Sequence, residues 1–89
     1  MKILTVCGLG MGTSLILRMN VEEVIKEAGK NYEVEHSDVS AATTMPCDYI
    51  ATTSELAEVL KETGKKIIII NNYFDKKEIE KQLGEAGII

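Results

Sequence analysis

Cys7 is the residue best placed for chemistry. It stands directly ahead of Gly8-Leu9-Gly10-Met11-Gly12-Thr13-Ser14. A thiolate is a nucleophile. Glycines at 8, 10 and 12 let a backbone fold around an anion without Cβ clashes, and Thr13 and Ser14 add hydroxyl donors. A phosphoryl group on sulfur presents three oxygens that need such donors. The pattern therefore points to a cysteinyl phosphate at Cys7, cradled by Gly8, Leu9, Gly10, Met11, Gly12, Thr13 and Ser14.

The positioning elements follow from the residues on either side. Lys2-Ile3-Leu4-Thr5-Val6 is a short apolar run that ends at the glycine cluster, as a buried strand does. Thr13 or Ser14 then opens a helix that runs to about Ala28, with Gly29 as its stop. In open α/β sheets ligands bind beyond the carboxyl ends of the strands. Cys7 is predicted at such an end, with the N–H groups and positive dipole of the next helix facing it. That field favours thiolate over thiol and also favours a bound phosphate. The bland alternative is a small core cysteine beside a tight turn. The coincidence of nucleophile, glycine loop and helix start favours the chemical reading.

Further along, Tyr32 to Asp38 alternates. Tyr32, Val34 and His36 share the inward face of a half-exposed edge strand. Ala41 to Pro46 is predicted as a loop, and Asp48-Tyr49-Ile50-Ala51 as a third strand. Thr52-Thr53-Ser54-Glu55 has capping-box spacing ahead of a short helix that ends at Gly64. Ile67 to Ile70 is a strand apolar on both faces, so cover on both is expected. Asp75 and Glu78 start a last helix, with Ile79 and Leu83 facing inward. The alternation of strands and helices implies a three-layer α/β domain with a parallel sheet and helices on both sides.

Composition bounds the function. The chain has 89 residues, 45% of them apolar and 27% charged, which suits one small domain spanning 1–89. A net charge of −4 with scattered basic residues argues against nucleic acid. No stretch approaches the roughly 18 apolar residues of a membrane span, and no signal peptide precedes the first strand. The protein reads as cytoplasmic, with Cys7 and Cys47 as free thiols. With one histidine and no C-x-x-C pair, no metal cluster or cofactor is expected. Cys47 precedes the third strand and so belongs at the sheet end away from Cys7. A strand of about five residues spans far more than the ~6 Å of a disulfide, which argues against a Cys7–Cys47 redox couple.

Cys7 ahead of a glycine-rich loop and Thr13-Ser14, opening a domain of this length and element order, resembles enzyme IIB of the bacterial phosphoenolpyruvate-dependent sugar phosphotransferase system. The likeness is nearest to the ascorbate type, then the galactitol and lactose/cellobiose types, and covers essentially the whole chain. It implies a four-stranded parallel sheet of order 2-1-3-4, of the kind also found in low-molecular-weight phosphatases. That order makes the strand of isoleucines an edge. It also implies that Cys7 takes phosphate from a phosphohistidine of IIA and passes it to a sugar, ascorbate or a related carbohydrate, held by membrane-embedded IIC. The protein would then meet the membrane transiently, through IIC.

The runner-up is a cysteine-dependent low-molecular-weight phosphatase or a related arsenate reductase. The phosphatase loop carries an Arg six positions after its Cys, where this chain has Thr13. That Arg clamps transition-state charge. No obvious Asp acts as general acid, since Asp38 and Asp75 are more simply caps or turns. The glycines also depart from the dinucleotide fingerprint, whose third glycine would stand one position later.

On a helical wheel, Leu17, Val21, Val24, Ile25 and Ala28 form the core face of the first helix, with Leu15 and Met19 opposite. Leu9, Met11, Leu15 and Met19 thus make an apolar ring near Cys7, suited to transient docking of IIA and IIC. The alternative is that the Ala41 to Pro46 loop covers this patch. Arg18, a turn into the helix, is expected at the surface. Asn71 and Asn72 are expected as turn residues, and His36 as an edge-strand residue.

Overall fold

The protein's structure, a computed structural model, describes residues 1–6 and 15–89 in full and 11–14 as helical backbone. The elements are β1 (Lys2–Val6), α1 (Met11–Glu27), β2 (Glu33–Ser37), α2 (Val39–Ala42), β3 (Tyr49–Thr52), α3 (Ser54–Leu60), β4 (Lys66–Ile69) and α4 (Lys76–Glu85). A 3-10 turn at Lys61–Thr63 extends α3. The four strands form one sheet in the order β2-β1-β3-β4. All pairings are parallel: Val6 stands opposite Ser37 on one side and Thr52 on the other, and Thr52 stands opposite Ile69.

Side-chain alternation along the strands sorts the core into two layers. On one face Ile3, Val34, Ala51 and Ile68 pack with Leu17, Val21, Val24 and Ile25 of α1 and with Ile79 and Leu83 of α4. On the other, Leu4, Val6 and Ile50 pack with Ala42 of α2 and Leu60 of α3. This is the expected three-layer α/β arrangement. Residues 3 to 6 of the central strand are fully buried, so β1 is a rigid base for whatever follows Val6.

α1 ends as Gly29 predicts. Gly29 takes φ +78°, its N–H bonds the Lys26 carbonyl at 3.0 Å, and Lys30 N–H bonds the Ile25 carbonyl at 3.1 Å. That is a Schellman closure, which needs a residue free to adopt left-handed backbone.

Several expectations need correction. α1 begins at Met11, ahead of Thr13, so Gly12 lies within the helix rather than in the turn. The first-turn N–H groups need no intrahelical partner, and a glycine is tolerated there. Ala28 follows the last helical turn and is exposed instead of facing the core. The predicted Ala41 to Pro46 loop is preceded by α2 (Val39–Ala42), one helical turn that takes in Ala41 and Ala42 and is too short to show a period in sequence. Its cap is Asp38, whose Oδ1 accepts the Ala41 N–H at 2.7 Å.

The third strand is shifted by one residue, to Tyr49–Thr52, and Asp48 just ahead of it bonds Lys2 twice: its N–H donates to the Lys2 carbonyl at 2.9 Å and its Oδ2 accepts the Lys2 N–H at 2.8 Å. On β4, a sheet edge, Ile68 is buried and Ile67 half-buried, but Ile69 is 41% exposed. Cover on both faces is therefore partial. α4 starts as read, with Asp75 Oδ1 accepting the Lys77 N–H at 3.0 Å and Ile79 and Leu83 fully buried.

Candidate functional site

The carboxyl edge of the sheet is formed by Ser37, Val6, Thr52 and Ile69 at the ends of the four strands. β1 ends there at Val6 and α1 starts at Met11. Cys7, Gly8, Leu9 and Gly10 lie outside the described residues, as do the side chains of Met11, Gly12, Thr13 and Ser14. Thr52 is fully buried, and its Oγ1 donates to the Val6 carbonyl at 2.7 Å. This bond ties β3 to the last residue before Cys7. A buried hydroxyl with a good acceptor holds backbone firmly, since breaking the bond would strand two polar atoms. The Thr52 carbonyl in turn accepts the Ile70 N–H at 2.7 Å.

The expected capping box at Thr52 to Glu55 does not form. Thr52 belongs to β3, and the N-cap position falls to Thr53, whose side chain makes no cap bond. Asn71 caps α3 across the chain instead: its Oδ1 accepts the Ser54 N–H at 3.1 Å and the Ser54 hydroxyl at 3.0 Å. Asn71 and Asn72 lie in the turn after β4, as expected. Their backbone N–H groups both donate to Glu78 Oε2 at 2.9 Å. Sequence reasoning missed this use of Thr52, Ser54, Asn71 and Glu78. Thr52-Thr53-Ser54 invites a local cap, and no sequence period signals a bond across 17 residues.

The remaining candidates separate by position. Leu15 and Met19 stand one turn apart on α1 and are 42% and 55% exposed, so the segment after β2 does not cover them. Arg18 is occupied within its own helix, with Nε 2.8 Å from Glu22 Oε1. Asp38 and Asp75 are both helix caps. His36 is half-buried on the edge strand opposite Thr5, and its buried Nδ1 has no hydrogen-bond partner among the described residues. Cys47 lies just before β3, at the amino edge beside Asp48 and Lys2. Burial pushes its thiol above the ordinary value, with Asp48 adding to the effect and the ammonium groups of Lys65 and Lys2 opposing it. A half-buried thiol with a raised pKa is a poor nucleophile.

No helix among the described residues is long and apolar enough to cross a membrane.

The likeness to known proteins runs along the whole framework. A solved lactose-specific IIB domain of the phosphoenolpyruvate:carbohydrate phosphotransferase system from Streptococcus pneumoniae superposes with a TM-score of 0.69 at 17% identity, over 97% of this chain and 93% of that one. That match speaks to the fold. In sequence, the chain is 31% identical over 89 residues to an ascorbate-specific PTS system EIIB component of Mycoplasma pneumoniae, covering 97% of this chain and 94% of the relative. It is 29% identical over 70 residues to an ascorbate-specific EIIB component of Shigella sonnei, covering 76% and 69%. The family model described as PTS system, lactose/cellobiose specific IIB subunit, matches residues 2–85. The chain therefore belongs to the lactose/cellobiose-specific IIB subunit family of the sugar phosphotransferase system.

Proposed function

We propose that residues 1–89 act as a single IIB domain in which Cys7 carries the phosphoryl group. Membership of the family gives the chain a sugar phosphotransferase role in general. The observation that carries the finer reading is the frame around residue 7: β1 ends at Val6, the Val6 carbonyl is held by Thr52, and α1 opens at Met11. The 17-residue helix α1 opens four positions after residue 7 in the chain. The N-terminal end of a helix stabilises both a thiolate and a phosphate.

In this reading the Cys7 thiolate attacks the phosphorus of a phosphohistidine on IIA. The S–P bond forms as the N–P bond breaks, and the electron pair returns to the imidazole. Backbone N–H groups from Gly8 to Ser14, with the Thr13 and Ser14 hydroxyls, hold the oxygens. In the second step a sugar hydroxyl bound by IIC attacks, the S–P bond breaks, and the thiolate is restored as the hydroxyl proton leaves to a base in the IIC site. Both steps pass through loose, anionic transition states that need mainly positioning and donors. Leu9, Met11, Leu15 and Met19 form the docking rim for the two partners in turn. The domain works in the cytoplasm and reaches the membrane through IIC. The ascorbate-specific names of the sequence relatives make ascorbate or a close analogue the first sugar to test.

Incubation with phosphoenolpyruvate, the general transferase proteins and an ascorbate-class IIA, followed by intact-mass measurement, is the direct test. One phosphoryl mass added, absent from Cys7→Ser, is expected. An unchanged mass gain in Cys7→Ser would overturn the assignment. Steady turnover of an aryl phosphate would instead indicate a hydrolase, a reading disfavoured by Thr13 where that chemistry uses Arg.

A further inference from the structure

At the carboxyl edge, a path of hydrogen bonds and one short backbone step joins α4 to the residue that precedes Cys7. Glu78, in the first turn of α4, accepts both the Asn71 and the Asn72 N–H on a single oxygen at 2.9 Å. Asn71 Oδ1 then holds the N–H and hydroxyl of Ser54. Ser54 follows Thr52 by two residues. Thr52 accepts the Ile70 N–H through its carbonyl and donates to the Val6 carbonyl through its hydroxyl, both at 2.7 Å. Each hydrogen bond on this path is of normal length, and the step from Ser54 to Thr52 is covalent, through Thr53.

The way α3 is capped shows what the chain of bonds accomplishes. A helix start needs only a local acceptor, and Thr53 stands at the N-cap position with its side chain unused. The cap comes instead from Asn71, which sits on a turn that a carboxylate from a third element pins in place. A local cap would order α3 alone. This arrangement orders the β3–α3 junction relative to the β4–α4 turn, and both relative to Val6. The cost is a half-buried carboxylate at Glu78, offset by two charge-assisted bonds.

We propose that Glu78 is a positioning residue for phosphoryl transfer, acting through Asn71 and Ser54 to hold the β3–α3 junction that is bonded to Val6, the residue before Cys7. The proposal rests on the reading of Cys7 as the phosphoryl carrier. The effect of Glu78 is to keep the β3–α3 junction in one arrangement, so that the incoming phosphoryl group meets the thiolate in line. Small misplacements at such sites slow group transfer by as much as about a hundredfold.

The test measures single-turnover phosphoryl transfer from phosphorylated ascorbate-class IIA to the full-length chain, varying the IIA concentration. Glu78→Ala is expected to lower the limiting rate about ten- to a hundredfold while the half-saturating IIA concentration stays within about twofold. Glu78→Gln keeps a carbonyl oxygen able to accept both N–H groups, and it is expected to recover the rate to within about threefold. Amide spectra should show Ser54 and Asn71 displaced in Glu78→Ala and in place in Glu78→Gln. If Glu78→Ala does not fold, Asn71→Ala breaks the same path with α4 intact and should show the same loss of limiting rate. A wild-type limiting rate in Glu78→Ala with Ser54 displaced, or in Asn71→Ala, would overturn the proposal, as would a loss confined to IIA affinity. Failure of the Cys7 reading would register separately, as phosphoryl uptake by Cys7→Ser.

Discussion

The Thr52 hydroxyl lies 2.7 Å from the Val6 carbonyl, a bond across neighbouring strands between a fully buried side chain and the residue ahead of Cys7. Thr52→Val keeps shape and β-branching but removes the donor. Loss of about 1–2 kcal/mol is expected in urea unfolding, because the buried carbonyl loses a partner. Thr52→Ser keeps the hydroxyl and should recover part of that loss. Equal stability of Thr52→Val and wild type would show that the bond contributes nothing.

Leu15 and Leu17 stand two residues apart on α1, one 42% exposed and the other fully buried. Leu17→Ala should cost roughly 2–4 kcal/mol, from lost transfer energy and a cavity against Val21 and Ile3. Leu15→Lys should change stability by no more than about 0.5 kcal/mol. In the docking reading the two effects reverse in transfer assays: Leu15→Lys, alone or with Met19→Lys, raises the IIA concentration needed for half-maximal transfer. Unchanged transfer from IIA and to IIC in the double variant would remove the docking role.

Burial raises the Cys47 pKa, so at any pH below that value a smaller fraction is thiolate than for a free cysteine. Alkylation by iodoacetamide at pH 7.5, about a unit below the ordinary range, should therefore be slow at Cys47 and should rise with pH. In the carrier reading Cys7 alkylates first, and phosphorylation protects it. Peptide mass spectrometry after timed quenching resolves the two. Faster labelling of Cys47 than of Cys7 would contradict a thiolate stabilised at the start of α1. Cys47→Ser should leave phosphoryl transfer unchanged, since Cys47 lies at the opposite edge of the sheet.

Most of the architecture was legible because local signals and burial agree. Ile3 to Val6 had to be a buried strand, Gly29 had to end α1, and Asp75 had to start α4. The wheel of α1 separated Leu17, Val21, Val24 and Ile25 from Leu15 and Met19 correctly, because 3.6-residue periodicity is a direct imprint of one buried face. Errors fell where a signal was short or where two local options competed. α2 is a single turn, and Ala28 obeys the period but comes after the helix has ended.

What the sequence displayed by itself is a candidate nucleophile and its chain neighbours: a thiol directly after an apolar strand, followed by three glycines and two hydroxyls that lead into the first helix. Those depend on neighbours in the chain, and neighbours are what a sequence displays. The tertiary structure alone decided which groups brace that setting. Thr52 reaches Val6 across 46 residues, and Asn71 reaches Ser54 across 17. Parallel pairing in the order β2-β1-β3-β4 brings the carboxyl ends of β1, β3 and β4 together at one edge. Only there can a threonine, an asparagine and a glutamate that look like ordinary cap and turn residues become parts of one frame.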